Sequence, residues 1–79
     1  MAKIRIFSTP SCPYCVTLKE FLKQHGFEYE DLNVGTDAQA REEMIQKSQQ
    51  MGVPVIEIDG QIVIGFDKKK IVQLLKINE

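Results

Sequence analysis

Two cysteines separated by two residues are the part of this sequence best suited to chemistry. They are Cys12 and Cys15, and the 79-residue chain has no other cysteine. A bridge between them closes a loop of only four residues, so it removes little entropy from the unfolded chain and is a poor structural staple. Cysteines at this spacing are typical of thiol–disulfide exchange, in which one thiolate attacks a substrate disulfide and the second thiol resolves the mixed disulfide. The spacing therefore predicts a redox pair.

The residues around the pair predict that Cys12 lies just before a helix. Pro13 suits the first helical turn, where a backbone N–H lacks a partner, and the apolar residues that follow recur at helical spacing. A sulfur at this position lies near unpaired N–H groups and the positive end of the helix dipole, which favour the thiolate. Cys15 lies one turn later on the same face. We therefore expect Cys12 to attack and Cys15 to resolve, both at an exposed helix start.

Two other interpretations of the pair remain open from the residues alone. A structural zinc site needs four ligands, and the chain adds only His25, about 20 Å away at the far end of the predicted helix. The two cysteines are otherwise small apolar residues of a core, although Pro13 favours an exposed position. The zinc interpretation lacks ligands and the core interpretation conflicts with Pro13, so thiol exchange is the leading hypothesis.

Seven short elements are predicted around the pair, in the order β-α-β-α-β-β-α. A capping box that begins at Thr36 opens the second helix, Asp59-Gly60 forms a two-residue hairpin, and Asp67 caps the last helix. The strand–helix–strand start implies a parallel pair with a right-handed crossover. We therefore expect a single α/β domain over residues 1–79, whose four-stranded mixed sheet is covered by three helices. The predicted strands span 2–8, 27–33, 53–58 and 61–64, and the first two helices span 13–25 and 37–49.

The net charge and the hydropathy of the chain argue against nucleic acids and membranes as partners. The chain carries ten basic and eleven acidic side chains, a formal net charge of -1, whereas nucleic-acid binding requires a basic surface. No window approaches the roughly 18 apolar residues of a membrane span, and the N-terminus lacks the apolar stretch of a secretory signal. We expect a cytoplasmic protein with no nucleic-acid or membrane partner. In that compartment a disulfide is more often transient than structural.

Cys12-Pro13-Tyr14-Cys15 after a first strand resembles the dithiol active site of the glutaredoxin family. The resemblance implies a thioredoxin-like fold and the activity of a thiol–disulfide oxidoreductase that reduces protein disulfides, glutathione mixed disulfides or both. It implies no metal and no tightly bound cofactor, with glutathione as a co-substrate. The resemblance covers nearly the whole chain, because three further segments occur in the family's order and spacing: Arg41-Glu42-Glu43-Met44, Gly52-Val53-Pro54-Val55 and Gly65-Phe66-Asp67.

The same resemblance assigns a role to each matching position. Cys12 matches the nucleophile and Cys15 the resolving cysteine, and Pro54 matches a proline that the thioredoxin fold keeps cis beside the active site. The backbone of Val53 is then expected to pair with the cysteinyl backbone of glutathione or of a substrate peptide, and Tyr14 to flank the sulfur. The residues expected to contact the substrate or glutathione are Pro13, Tyr14, Val53, Pro54, Gly65, Phe66 and Asp67.

Two positions differ from the glutathione-dependent members of the family. Thr9 stands where many carry a lysine that helps to bind glutathione, and Gly65-Phe66 stands where many have two glycines. A single Gly-Phe is more similar to small glutaredoxin-like redoxins that take electrons from thioredoxin reductase, some of which serve ribonucleotide reductase. The implied electron donor is therefore glutathione or a thioredoxin-reductase-type flavoprotein. The implied targets are disulfide-containing proteins, with ribonucleotide reductase among them, and we expect the protein to act as a monomer.

A binding function is the alternative. Some glutaredoxins hold an iron–sulfur cluster between two subunits through the nucleophilic thiolate, here Cys12, and soft-metal carriers also use two cysteines at this spacing. Pro13 argues against cluster binding, because the cluster-binding members usually have a small residue there. The Lys68-Lys69-Lys70 run is open to two interpretations: a solvated face, or a positive patch that attracts a carboxylate of glutathione or an acidic partner.

Overall fold

A computed structural model describes residues 3–77 and confirms the predicted order of elements. The elements are β1 (Ile4–Ser8), α1 (Pro13–Gln24), β2 (Glu30–Asn33), α2 (Ala38–Ser48), β3 (Val55–Ile58), β4 (Gln61–Ile64) and α3 (Lys68–Leu75). The strands form one sheet in the order β2-β1-β3-β4, in which β1 and β2 are parallel and the other two pairs antiparallel. This is the predicted mixed sheet with three flanking helices, in a thioredoxin-like arrangement. Ala2, where the first strand was predicted to begin, lies outside the described residues.

Alternation along β1 places two apolar cores on opposite faces of the sheet. Ile4 and Ile6 lie on the face covered by α1 and α3, whereas Phe7 lies on the face covered by α2. Since successive side chains of a strand point to opposite faces, Arg5 shares the α2 face with Phe7. The first core also contains Leu18, Phe21, Leu22, Ile56, Ile58, Val63, Ile71 and Leu75, and the second Val34, Ala40, Met44 and Val55.

α1 begins at the predicted residue and ends at Gln24, one residue before the predicted end. Cys12 is its N-cap residue and Pro13 occupies its first position. His25 is the C-cap residue, and Gly26 follows with φ +76°. This left-handed conformation commonly ends helices, and glycine adopts it without a steric penalty.

Two strands are shorter than the sequence predicts. β2 begins at Glu30 instead of residue 27, because the amide of Phe27 donates to the carbonyl of Leu22 at 2.9 Å and keeps the chain on the end of α1. β3 begins at Val55 instead of residue 53, since Pro54 has no N–H to donate to a strand ladder.

The start of α2 differs from the prediction by one residue. The N-cap residue is Asp37, whose carboxylate accepts hydrogen bonds from the amides of Gln39 and Ala40, both at 3.1 Å. The predicted capping box at Thr36 is therefore wrong. A carboxylate one position closer to the helix satisfies two unpaired N–H groups, and its charge also suits the positive end of the helix dipole.

The hairpin and the last helix agree with their predictions. Asp59 and Gly60 have φ values of 49° and 88°, as a two-residue type I′ turn requires. Asp67 caps α3 by accepting a hydrogen bond from the amide of Lys70 at 3.2 Å. The helices are 8 to 12 residues long, and within residues 3–77 none has the length and apolar character to cross a membrane.

All three helices begin at the same end of the sheet. β1, β2 and β4 run in one direction and each leads to the start of a helix, whereas β3 begins at this end. Cys12 before α1, Pro54 before β3 and Gly65 after β4 are therefore brought together from distant parts of the sequence. We refer to this region as the helix-start end of the sheet.

Candidate active site

Cys12 lies at the helix-start end of the sheet, in the N-cap position that the sequence predicts. Its backbone is extended, with φ -91° and ψ 111°, and its sulfur accepts a hydrogen bond from the amide of Cys15 at 3.1 Å. The sulfur thus takes the place of the oxygen in an ordinary N-cap. Because a thiolate there is stabilised by the N–H group and by the helix dipole, the position suits a nucleophile.

The cysteine pair is less exposed than the sequence predicts. Cys12 is 9% exposed and Cys15 is 0% exposed, although Pro13 and Tyr14 between them are both exposed. Cys15 is buried because it belongs to the same inward stripe of α1 as Leu18. An incoming disulfide therefore meets the sulfur of Cys12 and not that of Cys15.

Cys15 is held in its protonated form. The pKa of its thiol is raised to about 11, first by burial and then by its hydrogen bond to the Cys12 side chain. The backbone of Thr9 and the charge of Lys19 lower the pKa of Cys15, but they do not outweigh these effects. Since only a thiolate attacks a disulfide, the Cys15 thiol is poorly suited to begin an exchange at neutral pH.

Val53 and Pro54 also lie at the helix-start end of the sheet. The peptide bond between them is cis, as the resemblance implies. Pro54 is buried and Val53 is half-buried. The carbonyl of Pro54 accepts a hydrogen bond from the amide of Gly65 at 2.8 Å. Val53, Pro54 and Gly65 are three of the predicted substrate-contact residues. The hydrogen bond between Pro54 and Gly65 therefore joins two of the segments that were expected to contact substrate.

The side chains of Phe66 and Asp67 hold the start of α3. The Phe66 ring packs edge-on against Phe21 with 5.8 Å between ring centroids, and the Asp67 carboxylate is the helix cap described above. The ammonium group of Lys68 lies 5.7 Å from the centroid of the Phe21 ring, a cation–π contact. Through these contacts all three side chains stabilise the start of α3. Binding of a ligand by the Gly65-Phe66-Asp67 segment stays a prediction.

Four large apolar side chains are exposed, and each belongs to a segment at or next to the helix-start end of the sheet. Tyr14 and Val16 are 66% and 54% exposed in the first turn of α1. Met51, in the segment before β3, is 71% exposed, and Ile64, the last residue of β4, is 54% exposed. We call these four residues the apolar rim. Of the four, only Tyr14 was singled out from sequence, and only the sheet topology brings the segments of Met51 and Ile64 to the end of the sheet where α1 begins.

A polar chain that the sequence analysis did not single out crosses from α1 to the sheet. The ammonium nitrogen of Lys19 lies 2.7 Å from Oδ2 of Asp31 on β2. The hydroxyl of Ser8, which is 2% exposed at the end of β1, donates to Oδ1 of Asp31 at 2.8 Å. Lys19 follows Cys15 by four residues on α1, so the two share a face of the helix. No local pattern indicates this group, because its members belong to three elements.

The α2 face of the sheet carries a separate network of charges around Arg5. The Arg5 guanidinium pairs with Glu30 at 3.1 Å, with Glu43 at 2.6 Å and with Glu57 at 2.9 Å. Lys47 lies 2.9 Å from Glu43 and 2.8 Å from Glu57. Glu43 and Lys47 are four residues apart on α2, a spacing that favours an ion pair of this kind. This network lies on the opposite face of the sheet from α1 and its cysteine.

The side chains do not assemble into the zinc site considered from the sequence. His25 lies at the C-cap of α1, with its ring centroid 4.6 Å from that of Phe21, whereas Cys12 lies at the other end of the helix. Across residues 3–77, no three or more His, Cys, Asp and Glu side chains are grouped so as to hold a metal ion. A tetrahedral site needs four such ligands.

The chain is similar to proteins of the glutaredoxin family over most of its length. The family model described as glutaredoxin matches residues 4–63. An uncharacterized glutaredoxin-like 8.6 kDa protein in the rubredoxin operon of Clostridium pasteurianum is 49% identical over 73 residues, which are 92% of this chain and 97% of that protein. Glutaredoxin 3 of Escherichia coli strain K12 is 39% identical over 67 residues, covering 85% of this chain and 81% of the relative.

Solved structures agree with these matches. The crystal structure of the thioredoxin-like protein BC3987 is similar with a TM-score of 0.86 at 40% identity, covering 91% of this chain and 99% of that one. The glutaredoxin from Archaeoglobus fulgidus is similar with a TM-score of 0.85 at 25% identity, covering 96% of this chain and 88% of that one. The similarity in both cases extends over nearly the whole sheet and its helices.

Proposed function

Because the chain belongs to the glutaredoxin family of thiol–disulfide oxidoreductases, we propose that it reduces disulfides by thiol exchange at Cys12 and Cys15. The observation that supports the proposal most directly is the hydrogen bond from the amide of Cys15 to the Cys12 sulfur at 3.1 Å. This N–H group stabilises the Cys12 thiolate before attack. It stabilises the same sulfur again when a reductant displaces it at the end of the cycle.

The proposed cycle follows from the unequal exposure of the two sulfurs. The Cys12 thiolate attacks one sulfur of the substrate disulfide, the S–S bond breaks, and the departing sulfur takes up a proton. Cys15 then loses its proton and attacks the Cys12 sulfur, which releases the second substrate thiol and leaves a bond between Cys12 and Cys15. Two electrons have passed from the protein to the substrate, and an external dithiol or two glutathione molecules return them.

Protein disulfides are the proposed main substrates. The residues of the apolar rim belong to segments at the same end of the sheet as the Cys12 sulfur, and exposed apolar surface of this kind fits an apolar segment of a partner protein. We expect the backbone of Val53 to pair with an extended segment of that partner by strand addition, as the family resemblance implies. Ribonucleotide reductase is one candidate protein target. Glutathione mixed disulfides are proposed as further substrates, which would pair with the same Val53 backbone.

The electron donor is identified by one assay run in two arms. NADPH oxidation is followed with an insulin-type disulfide as substrate, once with glutathione and glutathione reductase, and once with thioredoxin reductase alone. Activity in the first arm identifies glutathione as the donor, and activity only in the second identifies the flavoprotein. Absence of turnover in both arms contradicts the proposed function.

Substitution of each cysteine separates the two proposed roles. Cys12→Ser is expected to lower both protein-disulfide reduction and removal of glutathione from mixed disulfides to background, because no nucleophile remains. Cys15→Ser is expected to abolish protein-disulfide reduction while removal of glutathione continues, since that reaction needs only Cys12. Turnover by the Cys12→Ser variant at the wild-type rate is incompatible with the assignment.

The comparisons do not favour the alternative of a cluster or soft-metal carrier, since the matched proteins are glutaredoxins. The absorbance spectrum of freshly purified protein tests this directly, because an iron–sulfur cluster is coloured and a dithiol redoxin is not. Location in the cytoplasm and action as a monomer stay predictions, which cell fractionation and gel filtration test.

A further inference from the structure

We propose that Lys19 is a positioning residue for the second half of the exchange. Its ammonium group, held by Asp31, favours the thiolate form of Cys15 when that sulfur attacks the mixed disulfide. The inference rests on the proposed function, because it concerns the step in which Cys15 resolves a bond formed at Cys12. It adds a residue that neither the cysteine motif nor the predicted substrate-contact set contains.

The resolving step faces an electrostatic obstacle. Cys15 is 0% exposed, and a thiol removed from water resists ionisation. Burial is also the largest cause of the raised pKa of Cys15. Resolution near neutral pH therefore requires some feature of the protein that favours the charged form of this buried sulfur.

Formation of the mixed disulfide changes which groups act on Cys15. In the free protein the Cys12 side chain opposes ionisation of Cys15 through a hydrogen bond and through its charge. Once the Cys12 sulfur is bonded to substrate it carries no charge, so the charge repulsion disappears. The backbone of Thr9 and the ammonium group of Lys19, which both lower the pKa of Cys15, keep their positions. In the intermediate where Cys15 must react, Lys19 and Thr9 therefore act against burial without the added charge repulsion from Cys12.

The position of the ammonium group is fixed by the sheet. Lys19 lies four residues after Cys15, so their side chains are neighbours on the inner face of α1. Its nitrogen is 2.7 Å from Asp31 Oδ2, and Asp31 is itself held by the Ser8 hydroxyl at 2.8 Å. The Lys19 side chain is 23% exposed, so solvent screens its charge less than that of an exposed lysine. The ion pair thereby limits the conformations of a long side chain that shares a helix face with Cys15.

Other charges lie elsewhere in the molecule. The strand charges Arg5, Glu30 and Glu57 form the network on the α2 face, with Glu43 and Lys47 of α2. From α3, Lys68 contacts the Phe21 ring, two residues beyond Lys19 in α1. The groups that act on the pKa of Cys15 are the Cys12 side chain, the backbone of Thr9 and the charge of Lys19, which is itself paired with Asp31. Lys19 is the cation of this set, and its removal is the informative change.

The experiment follows one turnover with an aromatic disulfide that releases a coloured thiolate. Attack by Cys12 releases the first coloured thiolate and leaves the second aromatic thiol bonded to Cys12. Attack by Cys15 on the Cys12 sulfur releases the second and forms the bond between the two cysteines. The dithiol is oxidised by two electrons, the aromatic disulfide is reduced by two, and the two thiol protons pass to buffer. The two releases are recorded by stopped-flow absorbance as a function of pH.

Three variants are compared with the unchanged protein. Lys19→Gln is expected to slow the second release about threefold to tenfold at pH 7 and to move its pH profile upward by roughly half a unit to one unit, which is the corresponding change in thiolate population. Lys19→Arg is expected to keep the pH profile of the unchanged protein, because arginine keeps the positive charge and pairs with Asp31. Lys23→Gln, which removes a solvent-exposed lysine in the last turn of the same helix, is expected to leave it unchanged.

The two releases also distinguish the possible failures. A second release with the unchanged pH profile in Lys19→Gln overturns the role of Lys19, and so does failure of Lys19→Arg to keep that profile. Absence of the first release in the unchanged protein contradicts the proposed function instead. Misfolding of a variant is recognised in the same trace, since it slows the first release as well as the second, and Lys19→Met then serves as a second charge-removing variant.

Discussion

At the scale of single residues, Arg5 illustrates a charge stabilised beneath a helix. It donates hydrogen bonds to three carboxylates from three elements, and Lys47 shares two of them, those of Glu43 and Glu57. Glu57 is only 8% exposed. Burial alone raises the pKa of Glu57, but its hydrogen bonds with Lys47 and Arg5 outweigh burial and the net shift is downward. A buried carboxylate is thus kept ionised by the two cations.

The network makes stability depend on pH through Glu43. Hydrogen bonds from Arg5 and then Lys47 lower the pKa of Glu43 from 4.5 to about 2. A lowered pKa in the folded state means that the stabilisation is complete above pH 4.5 and is lost as pH falls towards about 2. Since 32% of the Glu43 side chain is exposed, we expect this contribution to be about 1 to 2 kcal/mol.

Urea unfolding between pH 7 and pH 3 tests this dependence. Glu43→Gln removes the titrating group, so its free energy of unfolding should fall less steeply with decreasing pH than that of the unchanged protein. Glu42→Gln, which alters the neighbouring exposed carboxylate, is the matched control and should keep the steep dependence. Equal slopes for Glu43→Gln and the unchanged protein would show that the network does not stabilise the fold.

At the scale of elements, local patterns predicted which segments form helices and strands, and long-range contacts decided where some of them begin. Pro13 and Gly26 mark the ends of α1 because proline and glycine act through their own backbone. The start of α2 was misplaced because Thr36 and Asp37 are both good caps in sequence, and only the path of the backbone selects the one whose oxygen faces the helix. The late start of β2 depends on Phe27, whose amide is bonded to the end of α1.

Alanine substitution distinguishes the two candidate caps of α2. Asp37→Ala should lower the free energy of unfolding by about 1 kcal/mol, because two amides of the first turn lose their acceptor. Thr36→Ala should change it by no more than a few tenths, as expected of an exposed residue outside a capping position. Chemical denaturation of both variants measures the difference. A larger loss in Thr36→Ala would restore the predicted capping box.

At the scale of the whole molecule, the sheet separates the cysteine site from the Arg5 charge network. Its α1 face holds the cysteine helix and the larger core, and its α2 face holds the smaller core and the Arg5 network. The sequence predicted the fold and the cysteine position because the alternation, the turns and the motif are local. It did not predict the apolar rim or the partners of Lys19 and Arg5, because each of these sets is assembled from segments far apart in the chain.

Because two apolar cores stabilise the fold, it should not require a disulfide between Cys12 and Cys15. The two cysteines are free thiols in the structure, and the four-residue loop that they close contributes little chain entropy. We therefore expect the protein in excess dithiothreitol to keep its helical circular dichroism and to unfold in one cooperative thermal transition. Loss of that transition on reduction, with its return on oxidation, would show that the pair is a staple after all.

The burial of Cys15 also protects the pair from oxidants. Peroxide converts an accessible thiolate to a sulfenic acid, and the next oxidation, to a sulfinic acid, is irreversible in most proteins. With 9% of Cys12 exposed and none of Cys15, only the first sulfur meets the oxidant. A sulfenic acid formed on Cys12 then lies next to Cys15, whose amide already donates a hydrogen bond to this sulfur at 3.1 Å. Condensation expels water and gives a disulfide, so the damage is converted into an ordinary intermediate that a reductant can repair.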